Sequence, residues 1–234
     1  MAQEVRLLSG GAAKGLVAQL QDRFSAQTGF TIHGDFGAVG AMREKLLAGE
    51  PCDLVILSQA LIDQLAGDGH VAANTGTPLG AVKTGVALKS GERAPEVSTA
   101  GALKSALLAA KGIYFPDPHK ATAGIHFMKV LKSLGVDTQL ASRLRPYPNG
   151  ATAMREMAQS TESGLIGCTQ VTEIRYTPGV QLAGLLPPEF ELATVYTAAV
   201  CTQAKQPAAA ADLIRLLASA EAAGLRASGG FEPV

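Results

Sequence analysis

Short apolar runs alternate with longer mixed runs along the first third of this chain. The apolar runs predict strands, and the mixed runs, whose apolar residues recur at helical spacing, predict helices. The predicted strands span residues 5–8, 31–36 and 53–57, and the predicted helices span residues 14–28, 41–49 and 59–67. This alternation is typical of βαβ units that share a parallel sheet.

A second set of elements follows the turn-rich residues 74–80. It comprises predicted strands at 81–89, 112–115, about 144 and 164–168, and predicted helices at 100–110, 123–134 and 151–159. A long apolar strand at 192–202 and an amphipathic helix at 208–218 then lead back. The pattern predicts an α/β protein of two lobes, the first formed by 1–80 with 198–234 and the second by 81–197.

Two strand-to-helix connections in the first lobe consist almost entirely of small residues. Such connections leave backbone N–H groups uncovered at the helix N-termini, where anions bind readily. We therefore predict a small anionic ligand held largely by backbone. The residues concerned are Ser9, Gly10, Gly11, Ala12, Ala38, Val39 and Gly40.

The overall composition narrows the classes of partner. Lys and Arg number 20 and equal Asp and Glu, so no net field attracts nucleic acid or a membrane surface, and neither is expected as a partner. Cys52, Cys168 and Cys201 lie far apart without a CxxC pair. The sequence therefore predicts neither a metal site nor a disulfide framework, and no cofactor.

Apolar runs and the first residues of the chain indicate the cellular compartment in which the protein works. No apolar run approaches the roughly 20 residues of a membrane span. The opening residues Met1, Ala2 and Gln3 favour a mature exported chain that gained a starting Met, which predicts a periplasmic location. A native cytoplasmic start is the alternative.

Four segments of the chain support a resemblance to a known family. They read LLSGGAAKGL, GAVGAMREKLLAGEPCDLVILS, IYFPDPHKATAGIHFMKVLKSLG, and ATVYTAAVC followed by a helix and GGF. Over nearly its full length the chain resembles type II periplasmic binding proteins of the molybdate-binding family. The resemblance implies a two-lobe fold with a central cleft and a double crossover hinge, a monomer, and, for a transport protein, an ABC permease as partner.

The chain departs from this family at the positions that bind the oxyanion. Family members use serine hydroxyls in the first two loops, backbone N–H groups at an Ala-Gly turn, and a tyrosine hydroxyl. The hydroxyl positions here fall at Gly11, at Val39 or Gly40, and near Thr169, while the turn Ala123-Gly124 is kept. Because losing such donors weakens oxyanion binding strongly, the sequence argues against molybdate.

Charged and titratable residues near the expected cleft suit a planar polycarboxylate instead. Relatives of molybdate binders include aconitate isomerase, so the resemblance implies a cofactor-free allylic proton shift between cis- and trans-aconitate. The alternative is a non-catalytic binding protein for an organic acid or oxyanion. The residues that favour a polycarboxylate are Lys14, Arg43, His126, Arg145, Asn149 and Thr169.

Each candidate side chain has a proposed role and a structural alternative. His126 and Lys14 are candidate catalytic residues, with His126 as the base. Lys14, Arg43 and Arg145 are candidate carboxylate clamps, although each also suits a solvated surface. Polar contacts to the ligand are expected from Ser58, Asn149 and Thr169; the first two also suit helix caps, and His126 also suits a packed interior position.

Overall fold

The structure, a computed structural model, describes residues 3–234 and divides into two compact units. Unit 1 consists of the chain up to Val82 together with Thr194–Val234, and unit 2 is Lys83–Ala193. The chain thus passes from one unit to the other twice. The junctions follow Val82 and Ala193, whereas the sequence prediction placed them after Gly80 and Thr197.

Three strands and three helices alternate through the first part of unit 1. They are β1 (Gln3–Gly10), α1 (Lys14–Thr28), β2 (Phe30–Gly37), α2 (Val39–Leu47), β3 (Leu54–Ser58) and α3 (Gln59–Gly67), with a single 3-10 turn at Gly11–Ala13 before α1. Strand β1 pairs in parallel with both β2 and β3. The predicted βαβ units are therefore present, and the long strand β4 (Thr77–Lys89) follows.

Unit 2 repeats this alternation. Its elements are α4 (Ala100–Ala109), β5 (Gly112–Pro116), α5 (Thr122–Ser133), α6 (Asp137–Leu140), β6 (Leu144–Tyr147), α7 (Gly150–Gln159), β7 (Leu165–Gln170), α8 (Val171–Tyr176) and β8 (Val180–Leu185). Strand β5 pairs in parallel with β6 and β7, and the second half of β4 runs antiparallel to β7 and β8. The sequence pattern did not predict α6, α8 and β8, which are short elements without a clear periodicity.

The chain then returns to complete unit 1. The remaining elements are β9 (Ala193–Val200), α9 (Pro207–Ala218), α10 (Ala223–Gly229) and β10 (Phe231–Glu232). Strand β9 runs antiparallel to β3 with Leu54 opposite Val200, and β10 pairs with the first half of β4. Strand β9 thereby extends the parallel part of the sheet by one antiparallel strand.

A buried carboxylate ties the returning chain to this sheet. Asp53 is 3% exposed and accepts three backbone hydrogen bonds, from Arg6 N at 2.8 Å, Lys205 N at 2.7 Å and Gln206 N at 2.8 Å. These bonds join the start of β3 to β1 and to the segment before α9. The aspartate of the GEPCD motif is therefore structural.

The core of unit 2 lies between its sheet and the helices α4 and α5. Phe115 of β5 and Phe127 of α5 are fully buried and meet edge to face, with 5.5 Å between ring centroids. Leu103 and Leu107 add the buried face of α4. Apolar packing thus holds α5 against the strand that precedes it.

Within residues 3–234, no helix combines the length and the apolar character that a membrane crossing requires.

Candidate functional sites at the strand ends

The carboxyl ends of the parallel strands in unit 1 lie side by side. Gly10 at the end of β1 is opposite Gly37 of β2, and Ser9 is opposite Ile56 of β3. A helical turn begins directly after each of these strands, and no side chain within residues 3–234 caps any of the three starts. N–H groups at helix starts of this kind are suited to binding an anion. We call this region the carboxyl edge of unit 1.

The small residues of this edge are required by close packing. A Cβ atom on Gly10 would lie 2.9 Å from both Tyr196 Cε1 and Val39 Cγ1. Ala12 and Ala38 are buried beside it, whereas Gly11 and Gly40 are half-buried. The loops therefore offer backbone groups and almost no side-chain bulk.

Ser9 does not present its hydroxyl at this edge. The residue is fully buried, and its Oγ donates to the Gly10 carbonyl at 2.9 Å. The sequence prediction that Ser9 contacts a ligand is therefore not supported for its side chain, because the hydroxyl proton is already used within the strand.

Two cations lie on the helices that begin at this edge. Arg43 belongs to α2, and its Nε is buried without a hydrogen-bond partner among residues 3–234. A buried N–H donor without an acceptor raises the free energy of the folded chain. An anion that accepts this hydrogen bond would remove that penalty. Lys14 is the first residue of α1 and its side chain is exposed.

Ser58 precedes α3 and is half-exposed, and its hydroxyl does not cap that helix. The neighbouring Gln59 has a fixed side chain. It accepts a hydrogen bond from Thr197 Oγ1 at 2.5 Å and donates one to Asp63 Oδ1 at 2.7 Å. Of these two polar side chains, Ser58 is therefore the one that could form a hydrogen bond to a ligand.

The corresponding edge of unit 2 contains the Ala123-Gly124 turn, and we call it the carboxyl edge of unit 2. Both residues are buried in the first turn of α5, which starts without a side-chain cap from the described chain. A Cβ on Gly124 would overlap the carbonyl oxygens of Pro116 and Asp117, so only glycine allows α5 to approach this loop. The Asp117 carboxylate fixes the loop by accepting from the backbone N–H of His119 and Lys120.

His126 follows this turn on α5 and is half-buried. Its Nε2 lies 2.8 Å from the carbonyl oxygen of Phe190. Because a carbonyl can only accept, Nε2 carries the proton in the neutral ring, and Nδ1 is left as the acceptor. The imidazole is therefore held in one tautomer, with one nitrogen able to take up a proton.

The start of α7 is occupied by the protein's own oxygen atoms. Asn149 Oδ1 accepts from Thr152 N at 2.8 Å, and Glu173 Oε1 accepts from Ala151 N at 3.3 Å. Asn149 is therefore a helix cap, which was the structural alternative in the sequence prediction. This bond uses the amide oxygen alone, so a role of the Asn149 NH2 group as a ligand donor stays a prediction.

Glu173 is the residue of this edge that sequence reasoning missed. It lies in the first turn of α8, is 7% exposed, and accepts from Thr169 Oγ1 at 2.5 Å. Burial raises the pKa of its carboxyl, and the hydrogen bond from Thr169 offsets part of that rise. A Cβ on Gly150 would overlap both side chains, so this glycine creates their space.

Thr169 was predicted to donate its hydroxyl to a ligand, but the hydroxyl donates to Glu173. Two further hydroxyls are buried and find no partner among residues 3–234. One belongs to Thr172 of α8, and the other to Thr84, which is opposite Gln170 in the register of β4 and β7. An acidic residue directly after a wholly buried strand, as in the sequence TQVTE, is the signal that could have identified Glu173.

Arg145 lies away from these residues. It pairs with Tyr114 in the register of β5 and β6, and its guanidinium lies beside Gly112, the first residue of β5. Its guanidinium donates to Tyr114 Oη at 2.7 Å and to both carboxylate oxygens of Glu162, at 3.0 and 3.1 Å. The hydrogen bond to Glu162 is the main cause that raises the pKa of Arg145, followed by the bond to Tyr114. The bond with Arg145 also lowers the pKa of Glu162. The predicted ligand clamp is therefore a structural ion pair.

The structure thus groups most of the predicted residues by unit. Those at the carboxyl edge of unit 1 are Gly10, Gly11, Ala12, Lys14, Ala38, Val39, Gly40, Arg43 and Ser58, and those at the carboxyl edge of unit 2 are Ala123, Gly124, His126, Asn149 and Thr169. Only Arg145 lies at the opposite edge.

Comparison with known proteins identifies the family. Residues 5–232 match the model of the bacterial extracellular solute-binding proteins. The chain belongs to this family. Membership in it implies a periplasmic or extracellular location.

Relatives of this solute-binding protein agree with the fold described above. An aconitate isomerase from Pseudomonas sp. is 26% identical over 97% of this chain and 87% of its own length. Among solved structures, the periplasmic molybdate-binding protein of Azotobacter vinelandii matches with a TM-score of 0.82 at 16% identity, covering 98% of this chain and 99% of that one. The sulfate-binding protein SubI of Mycobacterium tuberculosis matches with a TM-score of 0.75 at 18% identity, covering 99% and 87%. The predicted type II periplasmic binding protein fold is confirmed.

Proposed function

We propose that this solute-binding protein binds a small organic polycarboxylate and isomerises it by an allylic proton shift, as an aconitate isomerase does. One observation supports the proposed binding of a carboxylate. The Nε of Arg43 is buried without a hydrogen-bond partner among residues 3–234, and the helix to which it belongs starts without a side-chain cap. The similarity to the Pseudomonas aconitate isomerase supports the catalytic part.

The chemistry of the unit 1 edge favours carboxylates over tetrahedral oxyanions. Backbone N–H groups at helix starts and a guanidinium bind a planar carboxylate through parallel hydrogen bonds. The positions in the first two loops where a molybdate site would carry hydroxyls hold Gly11 and either Val39 or Gly40, and the Ser9 hydroxyl donates to the Gly10 carbonyl. Lys14 at the start of α1 would add a second cation for a ligand with several carboxylates.

The proposed reaction moves one proton and leaves the composition of the substrate unchanged, although the proton on the base can exchange with solvent. A base removes a proton from the methylene carbon next to the double bond, and the electron pair spreads over the allylic system and its carboxylates. Return of a proton to the other end of that system shifts the double bond, and reversal of the process after rotation exchanges the cis and trans isomers. Since one group can take up and return the proton, the sequence of steps balances without an added reagent.

His126 is the proposed base. Its Nε2–H bond to the Phe190 carbonyl fixes the ring and leaves Nδ1 as the proton acceptor. Arg43 and Lys14 would stabilise the negative charge that develops on the substrate carboxylates. The proposal requires that these groups reach the same ligand, and single variants in each unit test this requirement.

The test follows trans-aconitate by proton NMR in heavy water in the presence of the purified chain. We expect deuterium uptake at the allylic carbon and appearance of the cis isomer. His126→Gln keeps an N–H donor for the Phe190 carbonyl but removes the base, and it should lower the exchange rate by about 100-fold or more while the Kd changes little. His119→Gln, at an exposed histidine in the loop before α5, is the matched control and should exchange like the wild type.

The binding part is tested by calorimetric titration with trans-aconitate. Arg43→Ala should raise the Kd by roughly 10- to 100-fold, since a charge-assisted hydrogen bond to a buried donor is lost. Arg155→Ala removes an exposed arginine of α7 and should leave the Kd unchanged. An unchanged Kd in Arg43→Ala would contradict the proposed carboxylate site.

A second function is favoured by the family itself and by the structural neighbours, which are mainly binding proteins. In that case the chain acts as a monomer in the periplasm and delivers an organic acid or another oxyanion to an ABC permease. Tight binding of aconitate without any deuterium uptake would support this function and overturn the isomerase.

A further inference from the structure

Two cysteines of unit 1 that are distant in sequence lie together at the amino end of β3. Cys52 comes two residues before β3, and Cys201 follows β9 directly. Because β3 and β9 are antiparallel with Leu54 opposite Val200, the start of one strand meets the end of the other. The backbone N–H of Cys201 donates to the Asp53 carbonyl at 2.9 Å, so Cys201 is paired with the residue that directly follows Cys52.

The two thiols interact. Cys52 Sγ donates to the Leu54 carbonyl at 2.9 Å. Hydrogen bonding with the Cys52 side chain is the main cause that raises the pKa of Cys201, followed by burial. Both cysteines are free thiols in the structure.

Small reagents have a route to this pair. Although Cys52 and Cys201 are only 6% and 3% exposed, both line an open surface cavity of about 770 Å³. His70 and Lys205 line the same cavity. No group of three or more His, Cys, Asp or Glu residues suited to a metal ion occurs within residues 3–234. The arrangement therefore fits a two-sulfur reaction rather than a metal centre.

We propose that Cys52 and Cys201 form an intramolecular disulfide when the chain meets a disulfide oxidant. The Cys52 thiolate attacks one sulfur of the oxidant RSSR and releases one RSH as a mixed disulfide forms. Cys201 then loses its proton and attacks Cys52 Sγ, which releases the second RSH. Two electrons and two protons pass to the oxidant, and one S–S bond replaces two S–H bonds.

The location of the family supports an oxidising setting. Extracellular solute-binding proteins work outside the cytoplasm, where disulfides form and persist. The bond would join two points that enclose all of unit 2 in the sequence, and it would therefore constrain the unfolded chain strongly. It lies at the amino end of β3, away from the carboxyl edge of unit 1, so ligand binding should not depend on it.

The experiment incubates the folded, full-length chain with oxidised glutathione and measures the intact mass without reductant. We expect the loss of two hydrogens, a Cys52–Cys201 cross-linked peptide after proteolysis, and a rise in Tm of roughly 5 to 10 °C that a reductant reverses. The matched control is Cys168→Ser, because Cys168 is fully buried in unit 2, and this variant should behave like the wild type.

Cys52→Ser and Cys201→Ser should each fail to lose the two hydrogens. The peptide map of the wild type keeps the test valid if either variant folds poorly. Free thiols at both positions after prolonged exposure, a stable glutathione adduct at one of them, or a cross-link that involves Cys168 would overturn the proposal.

Discussion

At the scale of single residues, the carboxyl edge of unit 2 shows how burial changes chemistry. The Glu173 carboxyl lies in a space that Gly150 leaves open, with Thr169 as its hydrogen-bond donor. Removing a carboxylate from water disfavours its charged form, and four hydrogen-bond donors offset this only in part. Ionisation of Glu173 at high pH therefore destabilises the folded chain, because the buried carboxyl favours its protonated form.

Replacement of Glu173 by Gln should change the pH dependence of stability. The folded-state pKa of Glu173 lies above its ordinary value of 4.5, so the folded chain holds this proton more tightly than the unfolded chain. The free energy of unfolding of the wild type should therefore fall, relative to Glu173→Gln, as pH rises from about 4.5 through the folded pKa. Urea unfolding at a series of pH values measures this difference. Glu44→Gln, at an exposed position, should show no such trend.

Gly150 offers a test of packing at the same place. A Cβ at this position would overlap Glu173 and Thr169, so Gly150→Ala should lower the free energy of unfolding by about 2 kcal/mol or more. Gly101 lies in α4 with open space around its Cβ position, and Gly101→Ala should instead stabilise the chain by about 0.5 to 1 kcal/mol. Equal effects of the two changes in chemical denaturation would contradict the crowding around Gly150.

At the scale of elements, the helix starts divide into two kinds. Helices α1, α2 and α3 of unit 1 begin without side-chain caps from the described chain, whereas Thr99 and Asn149 cap α4 and α7 of unit 2. The uncapped starts leave N–H donors without a side-chain partner, and the capped starts have one. The same type of strand-to-helix junction therefore differs between the two units in how its N–H groups are satisfied.

Asp53 joins elements that are far apart in sequence. Asp53→Ala would leave three backbone N–H groups without their acceptor, so we expect a loss of about 3 kcal/mol or more in the free energy of unfolding. Thermal and urea unfolding measure this loss. Asp22→Ala removes an exposed carboxylate of α1 and should change stability by less than about 0.5 kcal/mol. A similarly small effect at Asp53 would show that the anchor is dispensable.

At the scale of the whole molecule, ligand binding should be visible as a change in stability. A ligand that binds the folded chain alone at 100 times its Kd stabilises it by about 2.7 kcal/mol. We expect trans-aconitate to raise the Tm in thermal unfolding, and molybdate at the same concentration to leave it unchanged. A larger shift with molybdate would contradict the argument from the missing hydroxyl donors at Gly11 and Val39.

The local pattern of the sequence was sufficient for much of this molecule. Alternating apolar runs predicted the βαβ units, because a strand or helix must bury one side whatever its neighbours are. Small residues at Gly10, Gly11 and Ala38 predicted the open helix starts, since the lack of a capping side chain is a local property. The four family segments predicted the fold that the comparisons confirm.

Only the tertiary structure decided which side chains meet. Arg145 forms an ion pair with Glu162, the Thr169 hydroxyl donates to Glu173, and Cys201 interacts with Cys52. The first and third of these pairs could not be read from spacing along the chain. A side chain's availability depends on partners that other strands bring to it, whereas its tendency to form a helix or strand depends on its own neighbours. The sequence by itself therefore determined the elements and the uncapped helix starts of unit 1, and the packing of strands against one another determined which charged side chains are already paired.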